Sequence, residues 1–354
     1  MKLLAILLLF FLCSCNAEQT QFSHSQSKIT PLKTNIFNKA KKAKTFSNKN
    51  LYPTTCADPF ILKYKDTYYL YCTADTYLTD LGIPVYKSKD LIHWEGPCGK
   101  GPHGLALYKD DVWGNKMFWG GDVIEKNGKF YMFPTVEEHL VVAVSDSPLG
   151  PFKQKIKKPM HEKIKEIDGS VFIDDNGKAY IYFIRLDGGN KIYVAELSND
   201  LLSIKENTIK FCLESEEGTW ERGPNKPRAF VTEGAYTFKH NGYYYLTYTA
   251  NHFMSKDYAV GYATSKKPTG PWEKFKGNPI LKATDEVHGP GNAIFIKSPS
   301  GNEMFIVYHR HCSTNAVWPR RLALDRAYFK KDPKGGPDIL IVNGPTLNEQ
   351  PAPE

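Results

Sequence analysis

The chain lacks helical periodicity. After residue 50 no long run repeats apolar residues every 3.6 positions, which argues against a helical bundle or an alternating α/β fold. It lacks paired cysteines. Of 7 Cys, five follow Cys15, namely Cys56, Cys72, Cys98, Cys212 and Cys312. An odd number without paired spacing argues against a disulfide framework, and there is no C-x-x-C metal pattern. Most of these thiols are expected to be buried small hydrophobes. No basic face interleaved with aromatics follows the N-terminal region. The net charge of +8 comes largely from residues 28–49, a Lys-, Ser-, Asn- and Thr-containing stretch that reads as a solvated tether. Nucleic acid is therefore not an expected partner.

The apolar run over 3–12 is too short to span a bilayer and follows Met1-Lys2, the pattern of an export signal. It ends in Leu12-Cys13-Ser14-Cys15, which resembles a bacterial lipobox with Cys15 as the lipidated first residue. An ordinary cleavable signal with incidental cysteines is the alternative, and either way the protein is exported. The expected organisation is a lipoprotein-type signal over 1–15, a flexible tether over 16–50 and one domain over 51–354. The chain would be anchored through Cys15 at the bacterial outer membrane or held in the periplasm, touching a membrane only through that lipid. Nothing in the sequence sets an oligomeric state.

What the chain has is aromatic residues in short alternating runs. Its 21 Tyr and 20 Phe fall in segments such as Tyr68-Tyr69-Leu70-Tyr71 between Gly, Asn and Pro turns, which predicts strands. The fold class is all-β. Five segments open on an acidic or glycine-rich turn and run into such a strand pattern: Asp58-Pro59-Phe60, Gly120-Gly121-Asp122, Asp168-Gly169-Ser170, Glu233-Gly234-Ala235 and Gly289-Pro290-Gly291. Asp168 and Glu233 each precede a hairpin glycine, Gly177 and Gly242, by the same interval, so they read as equivalent places in two copies. A second element alternates with the first. Tyr86 to Trp94, Val142 to Phe152 and Val260 to Trp272 each lead a short strand into a Ser/Asp turn and an aromatic, and Val194 to Leu201 is a degenerate copy. Repetition at roughly 50–60 residues marks a radial repeat. The two elements make an inner and an outer hairpin, hence a five-bladed β-propeller with four-stranded antiparallel blades.

In a propeller the inner strand starts converge on the central axis, so Asp58, Asp168 and Glu233 are expected to share one pocket. Singly each reads equally as a turn aspartate or glutamate; jointly, three carboxylates at three blade starts point to acid–base chemistry. Asp122 is displaced from that alignment and reads as a turn residue or a sugar hydroxyl acceptor. Pocket depth is expected to depend on the loops 96–116 and 214–227.

Thr55-Cys-Ala-Asp58-Pro-Phe-Ile, Ile167-Asp168-Gly-Ser-Val-Phe and Thr232-Glu233-Gly-Ala-Tyr together resemble glycoside hydrolase family 43. Lys87-Ser-Lys-Asp-Leu-Ile-His-Trp94, Ser265 to Trp272 and Val307-Tyr-His-Arg310 extend the likeness over about 52–345. The resemblance implies a five-bladed glycosidase of the β-xylosidase, α-L-arabinofuranosidase and arabinanase group, with a carbohydrate substrate. It also implies Asp58 as general base, Glu233 as general acid, and Asp168 as the residue that tunes the acid and orients substrate. Two departures stand out: Trp119-Gly-Gly-Asp122 where Trp-Ala-Pro-Asp or -Glu is common, and Glu233-Gly-Ala where Glu-Gly-Pro is common. By the same resemblance, His288 lies on the axis and helps bind a calcium ion or water; a histidine satisfied in a turn is the other reading, since one imidazole is a poor ligand set for a hard cation.

The residue types fit the chemistry independently. Inverting glycoside hydrolysis needs one ionised carboxylate to activate water and one protonated carboxyl to protonate the leaving oxygen. A third carboxylate beside Glu233 would raise its pKa, and Asp58 needs an Arg or solvent to stay ionised. Arg310 is a candidate for the sugar or a catalytic carboxylate, or for a structural ion pair. Phe60 and Trp119 are candidates to stack on a sugar face, or simply pack. Two other readings stand: a non-catalytic carbohydrate-binding propeller, and a related fructan hydrolase or mannoside phosphorylase. The fructan-type Asn-Asp-Pro-Asn-Gly motif is absent, whereas a phosphorylase would need clustered cations, for which Arg310, Arg320 and Arg321 are available.

Overall fold

The computed structural model describes residues 44–222 and 230–354. The signal, Cys15 and the tether up to residue 43 lie outside the described residues. Five four-stranded antiparallel sheets stand as the blades of a propeller. Their innermost strands are Ala57–Tyr64, Phe118–Lys126, Glu166–Ile173, Thr232–His240 and Gly291–Lys297. Four blades run in simple meander order, while blade two has its third strand split into His139–Leu140 and Ala143–Ser145.

The tyrosine content has a structural reason. Tyr71, Tyr182 and Tyr245, on the second strands of blades one, three and four, are fully buried between sheets. Each passes its hydroxyl to the following blade: Tyr71 to the Pro148 carbonyl at 2.6 Å, Tyr182 to Pro268 at 2.5 Å and Tyr245 to Asp338 at 2.6 Å. An apolar ring with a polar tip fills the wedge between blades and leaves no buried donor unpaired, each such bond adding about 1 kcal/mol. Pro148 and Pro268 lie in the repeated Ser turns, where Ser145 and Ser265 Oγ accept the N–H of Ser147 and Lys267 at 3.1 Å.

Every innermost strand carries a β-bulge near its start. The ladder breaks between Ala57 and Phe60, Trp119 and Asp122, Ile167 and Ser170, Glu233 and Tyr236, and Gly291 and Ile294. In each, two residues oppose one on the partner strand, which bends the strand toward the axis. The first bulge residues are Asp58, Gly120, Asp168, Gly234 and Asn292. Four have positive φ: Asp58 at 48°, Asp168 at 55°, Gly234 at 59° and Asn292 at 50°. Asp, Asn and Gly tolerate that region best, so the bulge selects the residue types that open the repeats.

The bulge corrects one alignment drawn from the sequence. Glu233 pairs with Thr249 as the last residue before its bulge, the place that Ile167 holds in blade three, while Asp168 is itself a bulge residue. Their equal spacing to glycine arises because the blade-three hairpin turn, between Ile173 and Ala179, is longer than the blade-four turn between His240 and Tyr243. The two carboxylates thus sit one residue out of register.

The ring closes outside the blades. Thr45–Phe46 pairs antiparallel with Gln350–Pro351, so packed structure begins inside the span assigned to the tether. Buried Asn48 donates to the Leu324 and Thr346 carbonyls at 3.0 Å and accepts from Leu324 N–H at 2.9 Å. The five cysteines of the domain are free thiols, three of them buried.

Candidate active site

A pocket of about 550 Å³ opens at the end of the axis where the inner strands begin, and Asp58, Asp168 and Glu233 all line it. Beneath it a narrow channel is lined by the bulge residues of all five blades.

The bulges are tied by a repeated bond. The N–H of the first bulge residue goes to a side chain on the second strand of the preceding blade. Gly120 donates to Thr73 Oγ1 at 2.8 Å, Asp168 to Thr135 at 3.0 Å, Asn292 to Thr249 at 2.9 Å and Asp58 to His309 Nδ1 at 3.1 Å. Blade three breaks the pattern because the matching residue is Ile184, which has no acceptor. There Gly234 N–H is received instead by the Asp168 carboxylate, at 3.2 Å. A missing hydroxyl in the scaffold is what fixes the orientation of Asp168. A side chain on Gly234 would meet the Asn292 backbone at 3.1 Å in a left-handed conformation, which explains glycine after Glu233.

Asp58 is held by four neighbours. Its Oδ2 accepts from Thr73 Oγ1 at 2.7 Å, and its Oδ1 from Asn292 Nδ2 at 3.0 Å and Arg320 Nη1 at 3.1 Å. His309 Nδ1 lies 3.3 Å from Oδ1, but its lone pair already takes the Asp58 N–H and burial keeps the ring neutral. Burial, the largest single influence, pushes the Asp58 pKa up; the Arg320 charge, the His309 ring and the Thr73 hydrogen bond together outweigh it, leaving the carboxyl well below the usual range. Arg320 is itself oriented by Asp75, which accepts from Nε and Nη2 at 2.9 Å each. A fork gripping one carboxylate with two donors is a rigid way to aim the third at another.

Glu233 has opposite surroundings. Its Oε2 accepts from Asn190 Nδ2 at 2.7 Å and its Oε1 from Tyr258 OH at 2.8 Å, and among the described residues no cation is bonded to it. Burial pushes its pKa up to about 7; the Tyr258 bond opposes that and the Asp58 charge adds to it. Asp168 is also raised, by burial and then by the charges of Glu233 and Asp58. The site therefore holds one carboxylate ionised and keeps a proton near neutrality on the other pair. That is the division of labour acid–base catalysis requires.

Several candidates lie elsewhere. Arg310 does not reach the pocket: it donates to the carbonyls of His311, Cys312 and Asn48, pinning the ring closure, and Arg320 is the arginine at Asp58. Phe60 lines the channel below rather than the pocket and belongs to the buried core; Trp119 does line the pocket. Asp122 is buried in the channel and neither caps a turn nor faces the pocket: it accepts from Ser170 Oγ at 2.7 Å and Val171 N–H at 3.1 Å, holding the blade-three bulge. The loop 96–116 contributes nothing to the pocket lining, whose walls come from Asp75 to Thr79, Glu138, Leu186 to Asn190, His252 to Tyr258 and Trp318 to Arg320. Part of the loop 214–227 lies outside the described residues.

His288 lines neither pocket nor channel; its carbonyl accepts from His311 N–H at 3.0 Å. Among the described residues no group of three His, Cys, Asp or Glu side chains is arranged to hold a metal ion. The buried orphan nitrogen near the axis, His309 Nε2, carries the proton of the neutral ring whose Nδ1 takes the Asp58 N–H, so it offers no lone pair to a cation. This set does not fit calcium, which takes six to eight oxygens. Arg320 is the one Lys or Arg among the described lining residues, and its donors are committed to Asp58 and Asp75, which speaks against phosphate as co-substrate.

The description "Glycosyl hydrolases family 43" matches residues 49–334. The fold superposes with TM-score 0.74 on an endo-1,4-beta-xylanase from Bacteroides thetaiotaomicron, 36% identical, covering 83% of this chain and 96% of that one. It superposes with TM-score 0.75 on a thermostable family-43 glycoside hydrolase, 37% identical, covering 88% and 99%. A xylosidase/arabinosidase of Bacteroides ovatus is 32% identical over 53% of this chain and 63% of its own length. A beta-D-galactofuranosidase of Aspergillus niger is 25% identical over 84% and 86%. Fold, pocket and family match agree, and the chain belongs to glycosyl hydrolases family 43.

Proposed function

We propose that this glycoside hydrolase cleaves arabinosyl or xylosyl linkages of plant polysaccharides or their fragments with inversion, α-L-arabinofuranosides first. Asp58 deprotonates the attacking water, Glu233 protonates the leaving oxygen, and Asp168 orients the sugar and tunes the acid as its neighbouring carboxyl. The observation that carries the reading is the contrast between Asp58, bound to Arg320, and Glu233, whose partners among the described residues are the neutral donors Asn190 and Tyr258. β-Xyloside cleavage is the second reading, supported by the xylosidase and xylanase names of the relatives. Hydrolysis rates on p-nitrophenyl α-L-arabinofuranoside, p-nitrophenyl β-D-xyloside and arabinan oligosaccharides separate them. Release of arabinose alone supports the first reading, xylose alone the second, and no release from any of the three overturns both.

Arg320 gives a prediction with a sign. Asp58 is active when ionised, so its activity is lost as pH falls through its folded pKa. Arg320→Met removes the charge that depresses that pKa. The acidic limb of kcat/KM is expected to move up by about 1–3 pH units. An unmoved limb would show that Arg320 does not set the ionisation of Asp58.

We also propose export with a lipid anchor at Cys15, read from Leu12-Cys-Ser-Cys15. Incorporation of labelled palmitate by the full chain, abolished in Cys15→Ser, is the expected result; unlabelled wild type overturns it.

A further inference from the structure

Six tryptophans occur in the chain, and Trp318 alone is exposed, at 52%. One exposed aromatic needs no explanation by itself. Trp318 differs because it lines the pocket and is fixed in place. It sits in the connection between the strands Met304–Arg310 and Arg321–Lys330, on a loop closed by Cys312 N–H to Val317 O and Ser313 N–H to Ala316 O, both 3.0 Å. Its ring meets Phe253 edge to face, with centroids 6.0 Å apart and planes at 77°. The Arg320 guanidinium lies over the Phe253 ring at 4.9 Å. His311 Nε2 donates to the Phe253 carbonyl at 2.7 Å, joining the blade-four and blade-five loops.

These contacts form one chain from Asp58 through Arg320 and Phe253 to Trp318. The same wall reaches the acid. The segment after strand Tyr243–Ala250, whose Thr249 pairs with Glu233, carries Phe253 and returns as Tyr258, which donates to Glu233. The wall therefore links both catalytic carboxylates to the rim. With the first sugar between Asp58, Asp168 and Trp119, a glycosidic oxygen placed for protonation by Glu233 would carry its second sugar on the solvent side. Of the other described lining residues, Thr76, Thr79 and Glu138 are polar, and the rings of His252 and Phe253 are half-buried and stacked on each other.

We infer that Trp318 is the stacking platform for the leaving-group sugar, the residue on the far side of the bond being cleaved. The inference rests on the glycosidase reading above and adds the residue that selects what is attached to the released sugar. The C–H face of a sugar ring covers an exposed indole well, and an indole already held by Phe253 loses little freedom on binding. Binding energy at this remote ring helps hold the scissile bond against Glu233 and Asp58.

The test compares two substrates of the glycone that the wild type releases: one with a sugar as leaving group, one a glycosyl fluoride, whose leaving group is too small to reach Trp318. Trp318→Ala is expected to lower kcat/KM on the sugar-linked substrate ~10-fold or more beyond any loss on the fluoride, mainly through KM. Trp318→Tyr, which keeps an aromatic face, is expected to recover most of it. Equal losses on both substrates would make Trp318 a positioning residue for Arg320 and overturn the platform, and so would an unchanged KM on the sugar-linked substrate. The glycosidase reading is judged separately, from wild-type rates alone; a wild type inactive on every pentoside overturns it and the platform with it.

Discussion

Glu233→Ala is expected to lose ~10²–10⁴-fold in kcat/KM on a natural glycosidic linkage and far less on a dinitrophenyl glycoside. A sugar departs as an alkoxide and needs a proton in the transition state, whereas a dinitrophenolate leaves as a stable anion. The proton is available because Glu233 is half-buried, bonded to Asn190 and Tyr258, and pushed up to about 7. The wild type therefore loses activity as pH rises through about 7, where Glu233 gives up its proton. On the dinitrophenyl substrate the mutant is expected to lose the Glu233 contribution to that alkaline limb. Steady-state kinetics on both substrates across pH decide it. Equal losses on the two would remove Glu233 from the acid role and pass it to Asp168, since Asp122 is buried in the channel holding the blade-three bulge.

Asp58→Asn is expected to cost at the upper end of ~10²–10⁴-fold on both substrates alike. Water must be deprotonated whatever leaves, so leaving-group quality cannot rescue this mutant. Asparagine keeps the shape, and Arg320 keeps its two bonds to Asp75, so the pocket retains its form. Circular dichroism melting alongside the kinetics separates lost chemistry from lost fold. A mutant that still turns over the dinitrophenyl glycoside at near wild-type rate would show that Asp58 is not the base.

The five repeats and the convergence of three carboxylates were legible in the sequence because both follow from strand starts, which Asp, Gly and Pro punctuate. The bulges were not legible, since an extra residue in a strand leaves no mark in hydrophobic alternation. That is why Asp168 and Glu233 read as equivalent when they are one residue out of register. Arg310 was an apparent partner for a carboxylate because it ends the motif Val307-Tyr-His-Arg310. It lies opposite Arg321 in the ladder, and its guanidinium serves the closure around Asn48. Arg320 reaches Asp58 only because a loop folds back across the rim, a long-range fact that spacing does not carry. Thr73, Thr135 and Thr249 had one available signal, a threonine recurring at or next to the end of the second strand in three blades. Asn190 and Tyr258 had none.

Assigning Asp58 to water and Glu233 to the leaving oxygen commits the enzyme to a single displacement. Proton NMR of the anomeric signals during the first minutes of hydrolysis, before mutarotation mixes them, tests this most directly. The account predicts that an α-linked arabinofuranoside gives β-arabinose first, and a β-linked xyloside α-xylose first. A first-formed product of retained configuration would mean that a carboxylate attacks the sugar directly, and would contradict the role of Asp58.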